Sequence, residues 1–436
     1  MSILGRFLGS VVEKGSIQVT HPDGSIEAYG TPTPGYPDVG IRLADEGVIR
    51  QIILDPRLGA AETFMNGRLI VERGDIMELV QLLRANRPFE RGGRLKEPGA
   101  FKKFRDYAAG SLDRFNFSGR SKSNVAHHYD IGNDLYNLFL DDDLQYSCAY
   151  WDFDRHGPEM TLEQAQADKK AHIAAKLGLK PGQRVLDIGC GWGGMALYLH
   201  RSTGVEVLGI TLSEEQHKKA QERAEKAGVA DKVKFELIDY RELAQRETGA
   251  FDRIVSVGMF EHVGTPQFRT FFRCCANLMT DDGVMLLHTI GRMGGPGTTD
   301  AFTRKYIFPG GYIPALSETL AASEHYRLIA TDIETLRLHY AYTLREWYKR
   351  TVENREKIVA LYDERFFRMW TFYLAGATAA FENGGMCNYQ IQFSRNRRTL
   401  PITRDYMGKI EKMISYRSFG GSSLESRSSS SLKLQR

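Results

Sequence analysis

The stretch VLDIGCGWGG, residues 185–194, constrains this chain more than any other. An apolar run ends in Asp187, four glycines fall within the next seven residues, and a helix-patterned segment follows. That order reads as a buried strand, a turn in which backbone approaches a ligand, and a helix. Strands and helices then alternate. RVLDIG, VEVLGI, VKFELI, DRIVSVG and GVMLLHTIG read as strands, and 192–203, 213–228 and 266–280 as helices. The pattern predicts an α/β fold built on a parallel, doubly wound sheet. YRLIATDIETL and MCNYQIQFSR add two strands, separated by an aromatic-rich helical stretch at 343–382. A chain of 436 residues is long enough for such a core and a second, smaller domain.

Gly189, Gly191 and Gly194 satisfy G-x-G-x-x-G, which alone permits a dinucleotide. The dinucleotide site wants an acid at the end of the second strand, where this chain has Thr211, in GITLSEEQ. It has carboxylates elsewhere. Asp187 precedes the glycines, suited to fixing the loop or meeting an ammonium, and Asp239 follows the third strand, suited to an adenine amino group. That layout suits S-adenosylmethionine. Ser213 and Gln216 form an S-x-x-Q capping box opening the second helix, compatible with ligand contact.

Residues 15–90 read as a small α+β unit. SIQVTHPDGSIEAYG is a hairpin around Asp23-Gly24, GVIRQIILDP a strand, and GDIMELVQLLRAN an amphipathic helix. The first residues can form a short helix with Ile3, Leu4, Phe7, Leu8, Val11 and Val12 on one side, and they do not read as a signal peptide. No apolar run is long enough to span a bilayer. Lys and Arg number 58 against 54 Asp and Glu, so net charge decides little. Its distribution says more: residues 91–124 mix basic and aromatic side chains, as a solvated linker does, or as a surface for anionic lipid head groups does. Nucleic acid has no other support in the chain. Five cysteines, none in C-x-x-C spacing, fit a reducing compartment and argue against disulfides or a zinc knuckle; no metal is expected. The expected organisation is a lipid-binding or dimerisation unit at 1–110, a basic linker and helical lid at 111–180, a catalytic domain at 181–415 and a disordered Ser-rich tail at 419–436.

Strand ends of a doubly wound sheet share one crevice. The fourth strand ends in FEHVG, with Glu261 and His262; the fifth in LLHTIG, with His288 and Ile290. SCAY precedes the first strand as a possible lid, and Tyr340 comes from the insertion after the sixth. With AHHYDIGNDLY, QYSCAYW, VLDIGCGWGG, GITLSEEQ and YIFPGGYIP, these motifs stand in order over roughly residues 120–395. Together they resemble the cyclopropane-fatty-acyl-phospholipid synthase family, which includes the mycolic acid cyclopropane synthases.

The resemblance implies a class I S-adenosylmethionine-dependent methyltransferase fold, Rossmann-like, with a small N-terminal domain and a helical insertion before the last strand. It implies methyl transfer to a cis double bond of a phospholipid acyl chain, a carbocation, deprotonation by bound bicarbonate, and ring closure. Glu261, His288 and Tyr340 would hold the anion by side chain, and Cys148 and Ile290 by backbone. Cofactor contacts would come from Tyr146, Ser147, Asp187, Gly189, Cys190, Gly191, Trp192, Gly193, Thr211, Leu212, Gln216, Asp239 and Tyr240. Such chemistry needs no enzyme nucleophile, so Cys148 is not expected to attack, and Tyr146, Tyr150 and Trp151 are expected to face the cation. The resemblance also implies a homodimer, cytoplasmic and peripheral at the inner membrane face. Products from other fates of the same cation, methyl-branched or methylene, stay open, as do an inactive lipid binder and an NAD-linked reductase. The chain departs from the family in having no cysteine in FYLAGATAAF and in its extension past FSR, with Arg395, Arg397 and Arg398.

Overall fold

Strands apolar at nearly every position need cover on both faces, and the middle of this chain supplies it. β5 (Arg184–Ile188) and β6 (Glu206–Thr211) are buried along almost their whole length, as is β8 (Phe251–Val257). A computed structural model describes residues 3–92 and 132–420. The expectations placed on 93–131, including most of the basic-aromatic segment, and on the tail beyond 420 lie outside the described residues.

The larger sheet has seven strands, in the order β10-β11-β9-β8-β5-β6-β7. β7 is Val233–Leu237, β9 Met279–Arg292, β10 Ile329–Leu336 and β11 Met386–Ser394. β5 pairs parallel with β6 and β8, β6 with β7, and β8 with β9. Only β11 runs antiparallel to both its neighbours, β9 and β10. The winding reverses between β5 and β8, which opens a crevice beyond the strand C-termini. This is the class I methyltransferase arrangement, and the helices at His339–Glu353, Arg355–Leu361 and Glu364–Glu382 form the insertion before β11.

The small unit holds a four-stranded sheet, β2-β1-β3-β4. β1 (Gly15–Thr20) and β2 (Ile26–Thr31) form the expected antiparallel hairpin, and β1 alternates buried and half-buried residues, as a sheet covered on one face does. β3 is Asp38–Leu43 and β4 Leu69–Arg73. GVIRQIILDP is a helix, Glu46–Leu54, and not the expected strand. Its β-branched composition favours a strand, but Val48 and Ile52 are buried four residues apart, a helical period, and Asp45 caps the N-terminus by accepting from Gly47 N. The helix Ile76–Ala85 forms as expected, opened by a reciprocal Asp75–Glu78 capping box.

The two units meet on the helical insertion. Arg368 Nε donates to Met65 O at 2.8 Å, Asn383 Nδ2 to Gln81 Oε1 at 3.1 Å, and Tyr348 OH to Asp75 Oδ2 at 3.0 Å. Lys305 and Tyr306 both donate to Glu62 Oε1. These contacts place the helices Pro56–Met65 and Ile76–Ala85 along the crevice of the larger sheet. Among the described residues no helix is long and apolar enough to cross a membrane.

Leu186 in β5 is fully buried, whereas Ile26 in β2 is 61% exposed. Leu186→Ala is therefore expected to cost about 2–5 kcal/mol, and Ile26→Ala about 0.5 kcal/mol or less. Urea unfolding midpoints of the two variants measure the difference.

Candidate active site

One cavity of about 850 Å³ runs from the glycine turn to the small unit. Its floor is the turn after β5. Gly189 and Gly193 both have φ of +82°, and a Cβ on Gly189 would lie 2.8 Å from Met259 Cβ, so the turn needs glycine for conformation and for space. Asp187 is buried, and its Oδ2 has no hydrogen-bond partner among the described residues. Burial pushes this carboxyl up to about 7, opposed by the charge of Lys169. An unsatisfied buried carboxylate oxygen beside a glycine turn suits a ligand ammonium.

All the sequence-derived cofactor residues line this cavity except Gly193, which packs against Phe235 and Ala220. Two details differ from expectation. Ser213 Oγ caps Gln216 N, but the Gln216 side chain does not return the bond; its Oε1 accepts from Thr211 Oγ1 at 3.0 Å. Asp239 receives Arg241 through Nε and Nη2, so most of its acceptor capacity is taken within the protein.

The loop at 144–151 has no regular structure and is held by side chains from two helices. Gln166 Nε2 donates to the carbonyls of Gln145 and Ser147, and Lys169 Nζ donates to Gln145 Oε1 and Ser147 Oγ, both at 2.8 Å. Thr343 Oγ1 accepts from Ala149 N and Trp151 Nε1. Burial pulls the Lys169 ammonium down to about 7 against the raising effect of Asp141. Lys169, Gln166 and Thr343 were not read from the sequence. ADKKAHIAAK looks like a solvated helix, yet thirteen of the sixteen residues of Leu162–Leu177 are buried.

Tyr146 lines the cavity and stacks on Trp347 with ring centroids 5.1 Å apart. Tyr150 and Trp151 do not line it. Tyr150 is sandwiched between His172 and His339, and Trp151 packs on Phe153. The aromatic wall comes instead from Tyr340, Phe302, Phe372 and Tyr373, with Trp192 at the cofactor end.

Cys148, Glu261, His288, Ile290 and Tyr340 converge on this wall. Burial pushes the Cys148 thiol far up, and its Sγ donates to Ala149 O, so it is no nucleophile. Glu261 Oε1 accepts from Ile290 N at 2.6 Å, while Oε2 is buried with no hydrogen-bond partner among the described residues. Burial raises this carboxyl to about 7, opposed by the Ile290 bond. Burial raises the Tyr340 hydroxyl, with smaller contributions from Tyr373, Cys148 and Glu261. His288 is bracketed by the amides of Asn388 and Gln390 at 3.3 and 3.2 Å. A neutral imidazole donates through one nitrogen and accepts through the other, so one amide presents its oxygen. Ile290 N–H and both His288 nitrogens are thus engaged within the protein. Among the described residues Glu261 Oε2 is left without a partner, while Oε1 is held by Ile290 N–H.

The fold and the cleft define an S-adenosylmethionine-dependent methyltransferase. Residues 118–391 match the model of the mycolic acid cyclopropane synthetase family, and the chain belongs to that family. It is 38% identical over 369 residues to the cyclopropane-fatty-acyl-phospholipid synthase of Escherichia coli K12, spanning 84% of this chain and 90% of the relative. It is 32% identical to the tuberculostearic acid methyltransferase of Mycobacterium tuberculosis over 89% and 90% of the two chains. The solved mycolic acid cyclopropane synthase CmaA1, complexed with SAH and CTAB, superposes with a TM-score of 0.58 at 33% identity, covering 63% of this chain and 98% of its own.

With a ligand ammonium against Asp187, cofactor binding below about pH 7 would first have to expel a proton there. Affinity is expected to fall as pH drops below 7, approaching about tenfold per unit, and to fall again above about 8 as the ligand amine deprotonates. Asp187→Asn should bind more weakly and lose only the acid limb, as isothermal titration at several pH values will report.

Proposed function

We propose that the protein transfers the methyl carbon of S-adenosylmethionine to the cis double bond of a phospholipid acyl chain and closes a cyclopropane ring. The observation that carries the reading is one cavity in which a glycine turn, an aromatic wall and a buried carboxyl with an unpartnered oxygen, Glu261, come together. The E. coli relative, named for a phospholipid substrate, aligns over 84% of the chain and supports the same substrate class.

The cofactor supplies a methyl group on a positively charged sulfur. Overall, one S–C bond breaks and one C–C bond forms at an alkene carbon, leaving positive charge on its neighbour. A proton then leaves the new methyl group and a second C–C bond closes the ring, so the products are cyclopropane, S-adenosylhomocysteine and H⁺. The rings of Tyr146, Tyr340, Phe372 and Tyr373 line the cavity, and an aromatic face against a cation is worth ~2 kcal/mol or more at a desolvated site. Glu261, His288 and Tyr340 by side chain, with the backbone at Cys148 and Ile290, would hold bicarbonate, which would supply the base. Glu261, with its carboxyl raised to about 7, would carry a proton of its own opposite that anion, so the pair would hold one negative charge in place of two. The substrate is collected from a bilayer, which fits peripheral association with the inner membrane face.

The similarity to a tuberculostearic acid methyltransferase favours one second reading, a methyl-branched product from the same cation. Mass spectrometry after incubation with S-adenosylmethionine and vesicles of cis-unsaturated phospholipid separates the outcomes. A gain of one CH₂ that resists hydrogenation is expected. A gain of CH₂ that takes up hydrogen means a methylene product, and CH₂ plus two hydrogens, seen only when a hydride donor such as NADPH is added, means a methyl branch and a separate reductant.

Glu261→Gln is expected to lower kcat by about 10²-fold with cofactor affinity unchanged. Cys148→Ala should keep most of the activity. Full activity in Glu261→Gln would remove the carboxyl from the mechanism.

A further inference from the structure

We propose that Arg57 and Arg84 form an anion site at the entrance of the cavity that takes the phosphodiester of a lipid, while the acyl chain runs inward toward Glu261. The proposal rests on the lipid reading above and names the part of the substrate that the catalytic unit does not hold.

Both arginines line the cavity, and both belong to the small unit. Arg57 is exposed in the first turn of the helix Pro56–Met65; Arg84 is half-buried in the last turn of the helix Ile76–Ala85. Neither side chain has an ion pair or hydrogen bond among the described residues. The other arginines of the cavity wall are engaged: Arg241 by Asp239, and Arg292 by the carbonyls of Ile313 and Thr298. The neighbouring ammonium of Lys305 is paired with Glu62. Both guanidinium groups face the one cavity, and burial and then the charge of Arg57 lower Arg84. Two guanidinium groups brought together without a carboxylate are stabilised by an anion between them, and their planar donors match phosphate oxygens.

The surroundings select a lipid over a free phosphate. The same two helices turn Ala60, Phe64, Leu79, Val80 and Leu83 to the cavity next to the arginines. Charge at the entrance and an apolar wall behind it is the order of groups in a phospholipid. The Asn383-Gly384-Gly385 turn makes room, because a Cβ on Gly384 would lie 2.6 Å from Arg84 Nη2. Gly384 precedes by six residues Gln390, the register partner of His288, a span of about 20 Å if extended. That is the scale separating a lipid phosphate from a double bond in the middle of its chain. The family model begins at residue 118, so both arginines lie outside the part shared across that family.

Binding without turnover tests this. Equilibrium dialysis would compare dihexanoyl-phosphatidylglycerol, dihexanoylglycerol and glycerol phosphate on the wild type and on Arg57→Gln/Arg84→Gln, with cofactor binding as the folding control. The double variant is expected to lose about ten- to hundredfold in affinity for the phospholipid and none for the diacylglycerol. Arg57→Lys/Arg84→Lys should recover part of the loss, as point charges do. Unchanged phospholipid binding overturns the proposal, as does an equal loss for both lipids. Glycerol phosphate binding the wild type as tightly as the phospholipid would replace the lipid with a free phosphate. A protein that passes this test but never transfers a methyl group overturns only the earlier reading.

Discussion

The buried ammonium of Lys169 and the amide of Gln166 hold the cleft in shape, because the loop they bind has no ladder of its own. Residues 144–151 present Tyr146, Ser147 and Cys148 to the cavity, and their polar groups are satisfied by side chains from Leu162–Leu177 and His339–Glu353. A buried ammonium is costly unless several acceptors meet it. The helix that carries it is anchored in turn: Lys170 pairs with Asp143, His172 with Glu334 and Glu411, and Lys176 with Glu334. Cofactor floor, loop and aromatic wall therefore stand or fall together.

The same dry cavity displaces its ionisable groups. Asp187, Lys169 and Glu261 are all brought to about 7, the acids upward and the ammonium downward, each mainly by burial. Groups poised there change charge readily when a ligand brings its own. Asp187 would ionise opposite an ammonium, and Glu261 would hold a proton opposite an anion. Cys148 and Cys190, which line the same cavity, are both pushed away from the thiolate, so burial that prepares two carboxyls silences the thiols beside them.

The small unit is a working wall of the site and not an appendage. Its two helices close the cavity, and Arg368, Tyr348, Lys305 and Asn383 fasten it to the catalytic unit. The solved mycolic acid synthase covers 63% of this chain at nearly its own full length.

Much of the larger sheet was legible because its strands are short apolar runs between Gly-rich turns, and a parallel strand buried on both faces has to read that way. The glycine turn, Asp187, Glu261 and His288 were legible as cleft residues for a related reason, since strand C-termini share a crevice whatever the loops do; Tyr340, on the helix His339–Glu353, was named only through the family resemblance. The helix at Glu46–Leu54 was misread because β-branched composition and helical spacing conflicted there, and packing decided for spacing. Tertiary structure alone decided that Tyr150 and Trp151 face away from the cavity, that His288 spends both nitrogens on Asn388 and Gln390, and that Lys169 is buried. Local sequence carries periodicity and turn chemistry. Which polar groups meet in a dry interior depends on residues more than a hundred positions apart, as Thr343 and Ala149 are, and only the folded chain brings those together.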